Sequence, residues 1–538
     1  MRKKITLILL LITISLSAQN TVGTISNSAN SFVGYTLISP LNSTSTYLIN
    51  NCGEIVNQWS SNYTPGASVY LLENGNLLRT GKINNPNFTF GGIGGIIQMY
   101  DWDNNLLWNY AYSNTNETQH HDIFPMPNGN VLILAVDRMT QAEAIAAGRN
   151  PAKITEGEIF NEKIIEVQPT GSNTGTVVWQ WDIKHHLIQD FDSSKNNFGN
   201  VANNPNKLDF NYTNGNPGDA NWLHINSIQY NSQLDQIVMS SRLLGEIYII
   251  DHSTSTSQAM GSTGGIYGKG GDFLYRWGNA EAYRKGSAAD QKLEGQHYPH
   301  WIEQGLQDEG KIMIFNNGTD RGYSSVDIIN PLQTSPGVYD YNSTTGFSPL
   351  NTEYSYTAPT NTDFYSSIVS SGQRLPNGNT LICDGDSGYL FEIDSNDNIV
   401  WEYVNPEGIS GPVAQGQEAL LNILFRGIKF APDYAAFNGR TLTPGSTIES
   451  NPDLSNCNAL SVDDFALTEE VLIYPNPTSN YINISITDYT YSIYDVSSKK
   501  IDSGENKKRI DLTHLDSGIY FIMISKEGTR ITKKIIKT

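Results

Sequence analysis

Leu71-Leu-Glu-Asn-Gly-Asn-Leu-Leu78 recurs as Pro125-Met-Pro-Asn-Gly-Asn-Val-Leu132 and again as Arg374-Leu-Pro-Asn-Gly-Asn-Thr-Leu381. Asn-Gly between two apolar runs is a strong hairpin signal, because both residues tolerate a positive φ. Degenerate copies run from Asn231 to Asp235 and from Gln304 to Gly310. Each hairpin is followed by a further strand and then by a Trp-bearing one: Leu107-Trp-Asn-Tyr110, Val178-Trp-Gln-Trp181, Leu274-Tyr-Arg-Trp277 and Val400-Trp-Glu-Tyr403. Four strands per repeat is the unit of a propeller blade. Blades are expected near 68–113, 120–185, 224–279, 297–359 and 366–406. A sixth is split, with Ile423 to Tyr434 supplying the inner part and Tyr35 to Trp59 the outer part. Such a split pairs the two ends of the repeat region and removes exposed sheet edges.

Composition agrees with an all-β chain. Of 538 residues only 16% are charged, and Gly and Tyr are abundant, which suits short strands joined by turns. The formal net charge of −20 argues against nucleic acid or an anionic membrane as partner. An anionic substrate therefore needs a local cationic pocket. The N-terminus, Met1-Arg-Lys-Lys4 followed by apolar residues from Ile5 to Leu16 and then Ser17-Ala-Gln19, has the order of a secretory signal with cleavage near Ala18. That run is shorter than the ~20 residues a bilayer span needs, so no membrane span is expected.

The expected organisation is a signal peptide over 1–18, a six-bladed β-propeller over 19–442, a polar linker over 443–468 and a small β-sandwich over 469–538. Three cysteines are too few for a disulfide scaffold. Cys52 falls in the N-terminal part of the split blade and Cys457 soon after its C-terminal part, so a clasp between them is geometrically sensible; the alternative is two free thiols. Cys383 sits in an apolar strand and reads as core.

Alignment of the blades on their hairpins puts three histidines at one point of the inner strands: His120 in Gln119-His-His-Asp122, His224 in Leu223-His-Ile-Asn226, and His297 in Gln296-His-Tyr-Pro299. Inner strands line the channel of a propeller, so the three should converge. A hairpin turn centred near Gln233 sets Arg242 opposite His224, and the same arithmetic sets His120 across from Asp137 or Arg138. A lone inner-strand histidine is more often a satisfied core residue; three in register beside an arginine are harder to explain so. His121 and His300 should alternate away from their neighbours or sit deeper. His185, His186, His252 and His514 read as structural or solvent-facing.

Asn221-Trp-Leu-His-Ile-Asn-Ser227, Ile237-Val-Met-Ser-Ser-Arg242, Gly268-Lys-Gly-Gly-Asp-Phe-Leu-Tyr-Arg-Trp-Gly278, Gly295-Gln-His297 and Gln373 to Cys383 resemble the arylsulfotransferase family. The resemblance covers most of residues 35–440. It implies a sulfuryl group moved from an aryl sulfate donor to a phenolic acceptor, without a nucleotide sulfate donor, another cofactor or a metal. It places the transiently sulfurylated nucleophile on His297 and the supporting groups on His120, His224, Asn226 and Arg242. Tyr298-Pro299 departs from the small or acidic pair expected there and could reshape the pocket floor. Val471-Leu-Ile-Tyr-Pro-Asn-Pro-Thr-Ser-Asn480 and Leu515-Asp-Ser-Gly-Ile-Tyr-Phe-Ile-Met523 resemble the C-terminal sorting domain of the type IX secretion system of Bacteroidetes. That implies a secreted or cell-surface protein whose partner in export is the type IX machinery.

Two rival readings differ in class. Three histidines could bind zinc or copper, although a fixed positive charge at Arg242 disfavours a cation there. A catalytically silent propeller could serve as a cell-surface binding or adhesion module, with aromatics such as Tyr298 and Trp301 lining a ligand face.

Overall fold

The computed structural model describes residues 20–455, 457, 471–495, 499–526 and 529–538; the leader expected over 1–18 lies outside them. The chain divides into two compact units, residues 1–460 and 461–538. Both are all-β.

The Asn-Gly phrases do form hairpins, though through a different turn from the one expected. Gly75, Gly129 and Gly378 have φ of +87°, +84° and +89°, whereas the preceding asparagines stay at negative φ. Gly75 N–H donates to Leu72 O at 2.8 Å and Leu72 N–H to Asn76 O at 2.8 Å, a pattern repeated at Met126/Asn130 and Leu375/Asn379. This is a three-residue loop, a type I turn followed by a left-handed glycine, whose local twist matches that of the flanking strands.

Among the described residues of the larger unit, six sheets have four or five strands. The first holds Pro65–Leu71, Leu77–Lys82, Gly95–Tyr100 and Leu106–Ala111. The second holds Glu117–Pro125, Val131–Thr140, Glu158–Pro169 and Gly175–Asp182. Ile225–Asn231, Gln236–Ser241, Glu246–Asp251 and Tyr275–Trp277 make the third, and His297–Trp301, Ile312–Asn316, Ser325–Ile329 and Tyr354–Tyr356 the fourth. In the fifth, Ser371–Arg374, Thr380–Asp384, Tyr389–Ile393 and Ile399–Val404 are joined by Gly23–Asn27, an N-terminal strand that sequence reading did not foresee. In the sixth, Leu424–Phe430 pairs antiparallel with Tyr35–Pro40, which continues into Ser45–Ile49 and Ile55–Ser60.

Successive sheets share apolar clusters. Ile97 of the first packs with Ile133 and Ile165 of the second, and Ile164 of the second with Ile228 and Met239 of the third. The same holds between third and fourth, fourth and fifth, and fifth and sixth. Leu37 and Trp59 of the sixth pack with Val69 and Leu77 of the first. The recurrent tryptophans explain themselves here: each buries its ring between two sheets and gives its indole N–H to a carbonyl of the next one. Trp59 donates to Asp101 O (2.8 Å), Trp108 to Thr174 O (3.0 Å), Trp181 to Gly271 O (2.8 Å), Trp277 to Pro349 O (2.6 Å) and Trp401 to Asn51 O (2.8 Å). No other side chain combines so much apolar area with a single donor that must be satisfied when buried.

The linker expected from 443 begins later. Gly445 N–H donates to Ile55 O at 2.9 Å and Ile55 N–H to Ser446 O at 3.0 Å, Ile448 joins the cluster between the fifth and sixth sheets, and Cys457 is bridged to Cys52 with Cα atoms 5.4 Å apart. The segment is polar and aperiodic because backbone bonds, one isoleucine and a disulfide hold it, and none of these leaves a hydrophobic pattern. Residue 456 and residues 458–468 of the expected linker lie outside the described residues.

In the smaller unit a sheet of Ile473–Tyr474, Tyr481–Ile484 and Arg509–Asp511 and a sheet of Lys500–Glu505, Thr490–Asp495, Gly518–Lys526 and Thr529–Lys537 share a core that includes Ile482, Ile493, Leu512, Ile522 and Ile535.

Candidate active site

The site lies where the inner strands of the second, third and fourth sheets are bulged. His121, His224 and Tyr298 have φ of +48°, +48° and +51°, and the ladder to the neighbouring strand skips at each point. A non-glycine residue in the left-handed region costs about 1–2 kcal/mol, and such bulges re-aim side chains beside functional sites. The extra residue changes the alignment expected from sequence. His224 is in register with His121 and Tyr298, whereas His120 and His297 each precede the bulge by one residue.

The bulge also displaces His120 from Asp137 and Arg138. Asp137 pairs instead with Glu117, and Arg138 donates from Nε to Glu158 at 2.6 Å. The His120 ring turns to the third strand of its own sheet, with Nε2 2.9 Å from Glu162 Oε2 and Nδ1 2.9 Å from His121 Nδ1. His121, expected to alternate away from its neighbours or to sit deeper, faces His224 with ring centroids 4.8 Å apart. His120 stands behind it.

His224 and Arg242 do meet across the hairpin: Arg242 N–H donates to His224 O at 3.2 Å. The Arg242 guanidinium reaches Ser367 O at 3.4 Å, and among the described residues no carboxylate pairs with it. Burial lowers its pKa. Its charge acts on three histidines at once. Burial, and then the Arg242 charge, hold His224 well below the usual imidazole range. His297 is pushed down to about 3 by the same two causes, against the pull of the Asn317 and Gly295 acceptors. His121 is lowered by burial and by His224, His120, His297 and Arg242 in that order.

His297 is buried, and its Nδ1 lies 2.7 Å from Asn317 Oδ1. The Asn317 amide is oriented unambiguously, since its Nδ2 donates to Ser366 O (2.8 Å) and Val369 O (3.2 Å). His297 Nδ1 therefore carries the proton, and its Nε2 carries the lone pair. Asn226 is fully buried and gives its amide N–H to Gln296 O at 2.8 Å, while Gln296 Nε2 donates to Ser241 O and Glu246 O. Asn226 thus fixes the backbone that carries His297.

Tyr298 is buried behind the bulge that follows His297. Its ring lies 4.1 Å from the Arg426 guanidinium, which forms a buried bidentate ion pair with Asp122. Tyr70 Oη donates to Asp122 Oδ1 at 3.1 Å. On the other side, the glycine-rich stretch after Phe90 lies over the histidines: Phe90 is 5.4 Å from the His120 ring and 6.1 Å from His224, and His121 N–H donates to Gly92 O at 2.6 Å. Sequence reading missed His121, Glu162, Gly92 and Asn317. A signal existed for Asn317, which stands one residue past its strand as Arg242 does.

Three buried histidines of lowered pKa thus surround a guanidinium that, among the described residues, has no carboxylate partner. The arylsulfotransferase model matches residues 27–410 and the secretion system C-terminal sorting domain model matches 472–538. The chain belongs to the arylsulfotransferase family and ends in a type IX sorting domain, which points to secretion and cell-surface attachment. Among the described residues no helix is long and apolar enough to cross a membrane. No curated protein matches the chain. Similar solved structures include a protein of unknown function from Bacteroides caccae (12% identity, TM-score 0.40, 74% of this chain and 99% of that one). A periplasmic gluconolactonase of Pseudomonas aeruginosa (9%, 0.35, 69% and 96%) and a virginiamycin B lyase of Staphylococcus aureus (10%, 0.31, 72% and 88%) are similar at the same level.

Proposed function

We propose that the protein is an aryl-sulfate sulfotransferase acting through a sulfohistidine at His297, and that its six sheets are the blades of a closed six-bladed propeller whose inner strands carry the site. The closed ring is supported by the apolar cluster between sixth and first sheets and by the tryptophan bonds at five of the six junctions between successive sheets, with Tyr354 Oη donating to Asp397 at the sixth. The observation that carries the chemistry is His297 beside Arg242: a buried, neutral imidazole with a defined lone pair, next to a cation that has no carboxylate partner among the described residues.

The sulfur of the donor's sulfate ester accepts the Nε2 lone pair, the N–S bond forms as the S–O bond to the aryl group breaks, and the phenol departs. An acceptor phenol then attacks sulfur, and the N–S bond breaks. Sulfuryl transfer, like phosphoryl transfer, passes through a loose transition state, so the protein chiefly positions groups and balances charge on the peripheral oxygens. Arg242 does the second. His224 lies within reach to hydrogen-bond the sulfuryl oxygens. The leader over 1–18 is removed on export, and the C-terminal unit serves export alone.

Incubation with a chromogenic aryl sulfate, with and without a phenolic acceptor, tests this. Transfer that depends on the acceptor and disappears in His297→Ala supports it; absence of turnover of any aryl sulfate overturns it.

A further inference from the structure

Behind the histidine pair is a buried carboxylate that the reaction above does not use. Glu162 Oε2 meets His120 Nε2 at 2.9 Å, and Oε1 accepts the Ile225 N–H at 3.0 Å, so one side chain anchors His120 and the backbone that follows His224. His120 passes the contact on, Nδ1 to Nδ1, to His121 at 2.9 Å. Glu162 and His120 are fully buried and His121 nearly so. The face of the His121 ring packs on Gly92 at its Nε2 end, where a Cβ would stand 2.1–2.3 Å from Nε2, Cε1 and Cδ2, above the ring plane in which the Nε2 lone pair lies.

We propose that Glu162 and His120 are positioning residues that fix the proton on His121, and that His121 Nε2 is the acid and base for the phenols exchanged at His297. This rests on the sulfotransferase reading. An ionised Glu162 can only accept, so His120 carries its proton on Nε2 and presents a lone pair at Nδ1. His121 must then donate from Nδ1, which leaves its Nε2 free to gain or lose a proton. In the first half-reaction the aryl S–O bond breaks as N–S forms, and the proton on His121 Nε2 goes to the departing phenoxide. In the second, His121 Nε2 takes the acceptor's phenolic proton while the oxygen bonds to sulfur and N–S breaks. One proton leaves and one returns. At rest, burial and the Arg242 charge keep His121 neutral; the donor's sulfate anion offsets that charge and favours the protonated ring. The order carboxylate, imidazole, acting group parallels the way an aspartate fixes a histidine tautomer in serine hydrolases.

The test is single-turnover phenol release from phenyl sulfate and from 4-nitrophenyl sulfate. Phenol, with a pKa of about 10, needs a proton on leaving; nitrophenol is a much better leaving group. In Glu162→Gln the amide donates to His120 Nε2 and reverses both tautomers, so release from phenyl sulfate should fall on the order of 10²-fold, while 4-nitrophenyl sulfate loses only severalfold. His120→Asn should show the same selective loss, and serves if Glu162→Gln does not fold. Equal losses on both donors overturn the proposal. ¹⁵N-histidine NMR of the wild type decides independently of turnover: His120 protonated on Nε2 and His121 on Nδ1 are expected, and an unprotonated His120 Nε2 overturns the relay. Absence of turnover in the wild type would sink the sulfotransferase reading, with the relay still judged by NMR.

Discussion

Asn317 Oδ1 accepts a 2.7 Å hydrogen bond from His297 Nδ1, and Asn317 is itself held by the carbonyls of Ser366 and Val369. The bond joins the first residue of one strand to the residue just past its partner strand, and it decides which nitrogen of His297 keeps the lone pair. His297→Ala should abolish transfer and prevent labelling of the protein by a sulfuryl group in peptide mass mapping. Asn317→Ala leaves the tautomer free and a buried N–H unpaired. At about 1–3 kcal/mol for such a loss, transfer should fall roughly 5- to 150-fold with labelling retained. Labelling of His297→Ala at full rate would place the nucleophile elsewhere.

Protonation removes the His297 lone pair. With a pKa pushed down to about 3, the ring is neutral above that value and charged below it. The pH profile of phenol release should therefore show no acid limb from His297 near the ordinary imidazole pKa of about 6.5; a His297-dependent limb there would contradict the desolvated site.

In the proposed reaction Arg242 balances charge on the transferring group. By comparison with the loss of one oxyanion donor, Arg242→Ala should slow transfer on the order of 10²–10³-fold. Arg242→Lys keeps the charge but not the planar fork, and should recover only part of the rate. A near-normal rate in Arg242→Ala would remove it from the site.

Gly92 has φ of +82°, and a Cβ would clash with the face of the His121 ring at 2.1–2.3 Å. Gly92→Ala should lower activity by displacing that ring, while the unfolding temperature falls by only a few degrees, because the substitution removes none of the side chains, Phe88 and Ile93 among them, that tie the loop to Val136 and Phe160. Unchanged kinetics with both aryl sulfates would show that the ring's placement plays no part.

Away from the site, His252 is clamped between Asp235 Oδ1 at 2.7 Å and Glu166 Oε2 at 3.0 Å. Burial opposes its charge, but the two carboxylates prevail and raise its pKa to about 9; Glu166 is lowered to about 2, its bonds to His252, Asn130 and Asn128 outweighing burial. The raised histidine stabilises the fold fully below pH 6.5, and that contribution is lost as pH rises through 9. The lowered carboxylate stabilises it above about 4.5 and loses that as pH falls toward 2. Thermal unfolding should show a plateau between these limits, with an alkaline decline worth up to about 3 kcal/mol. His252→Gln should flatten the alkaline decline; an unchanged slope would refute the assignment.

Sequence alone carried whatever depends on local pattern. The hairpin phrase and the tryptophans that follow it determined an all-β repeat, since turn chemistry and burial of a large donor-bearing ring are needed wherever the unit occurs. The same regularity put Arg242 against His224: the turn is centred half a residue beyond Gln233, and the one-residue skip at Asn226 restores the expected pairing. The tertiary structure decided the rest. His120, the left-handed His121 and Asp122 together oppose the single residue Leu134, so that His121 faces His224 and His120 turns to Glu162. Asn317 and Glu162 come from strands that no local period connects to the histidines' roles. The segment around Ile448 joined the larger unit through backbone bonds that any sequence can make. Register at a bulge and contacts between distant strands follow from how the whole chain packs, and no window of neighbouring residues contains them.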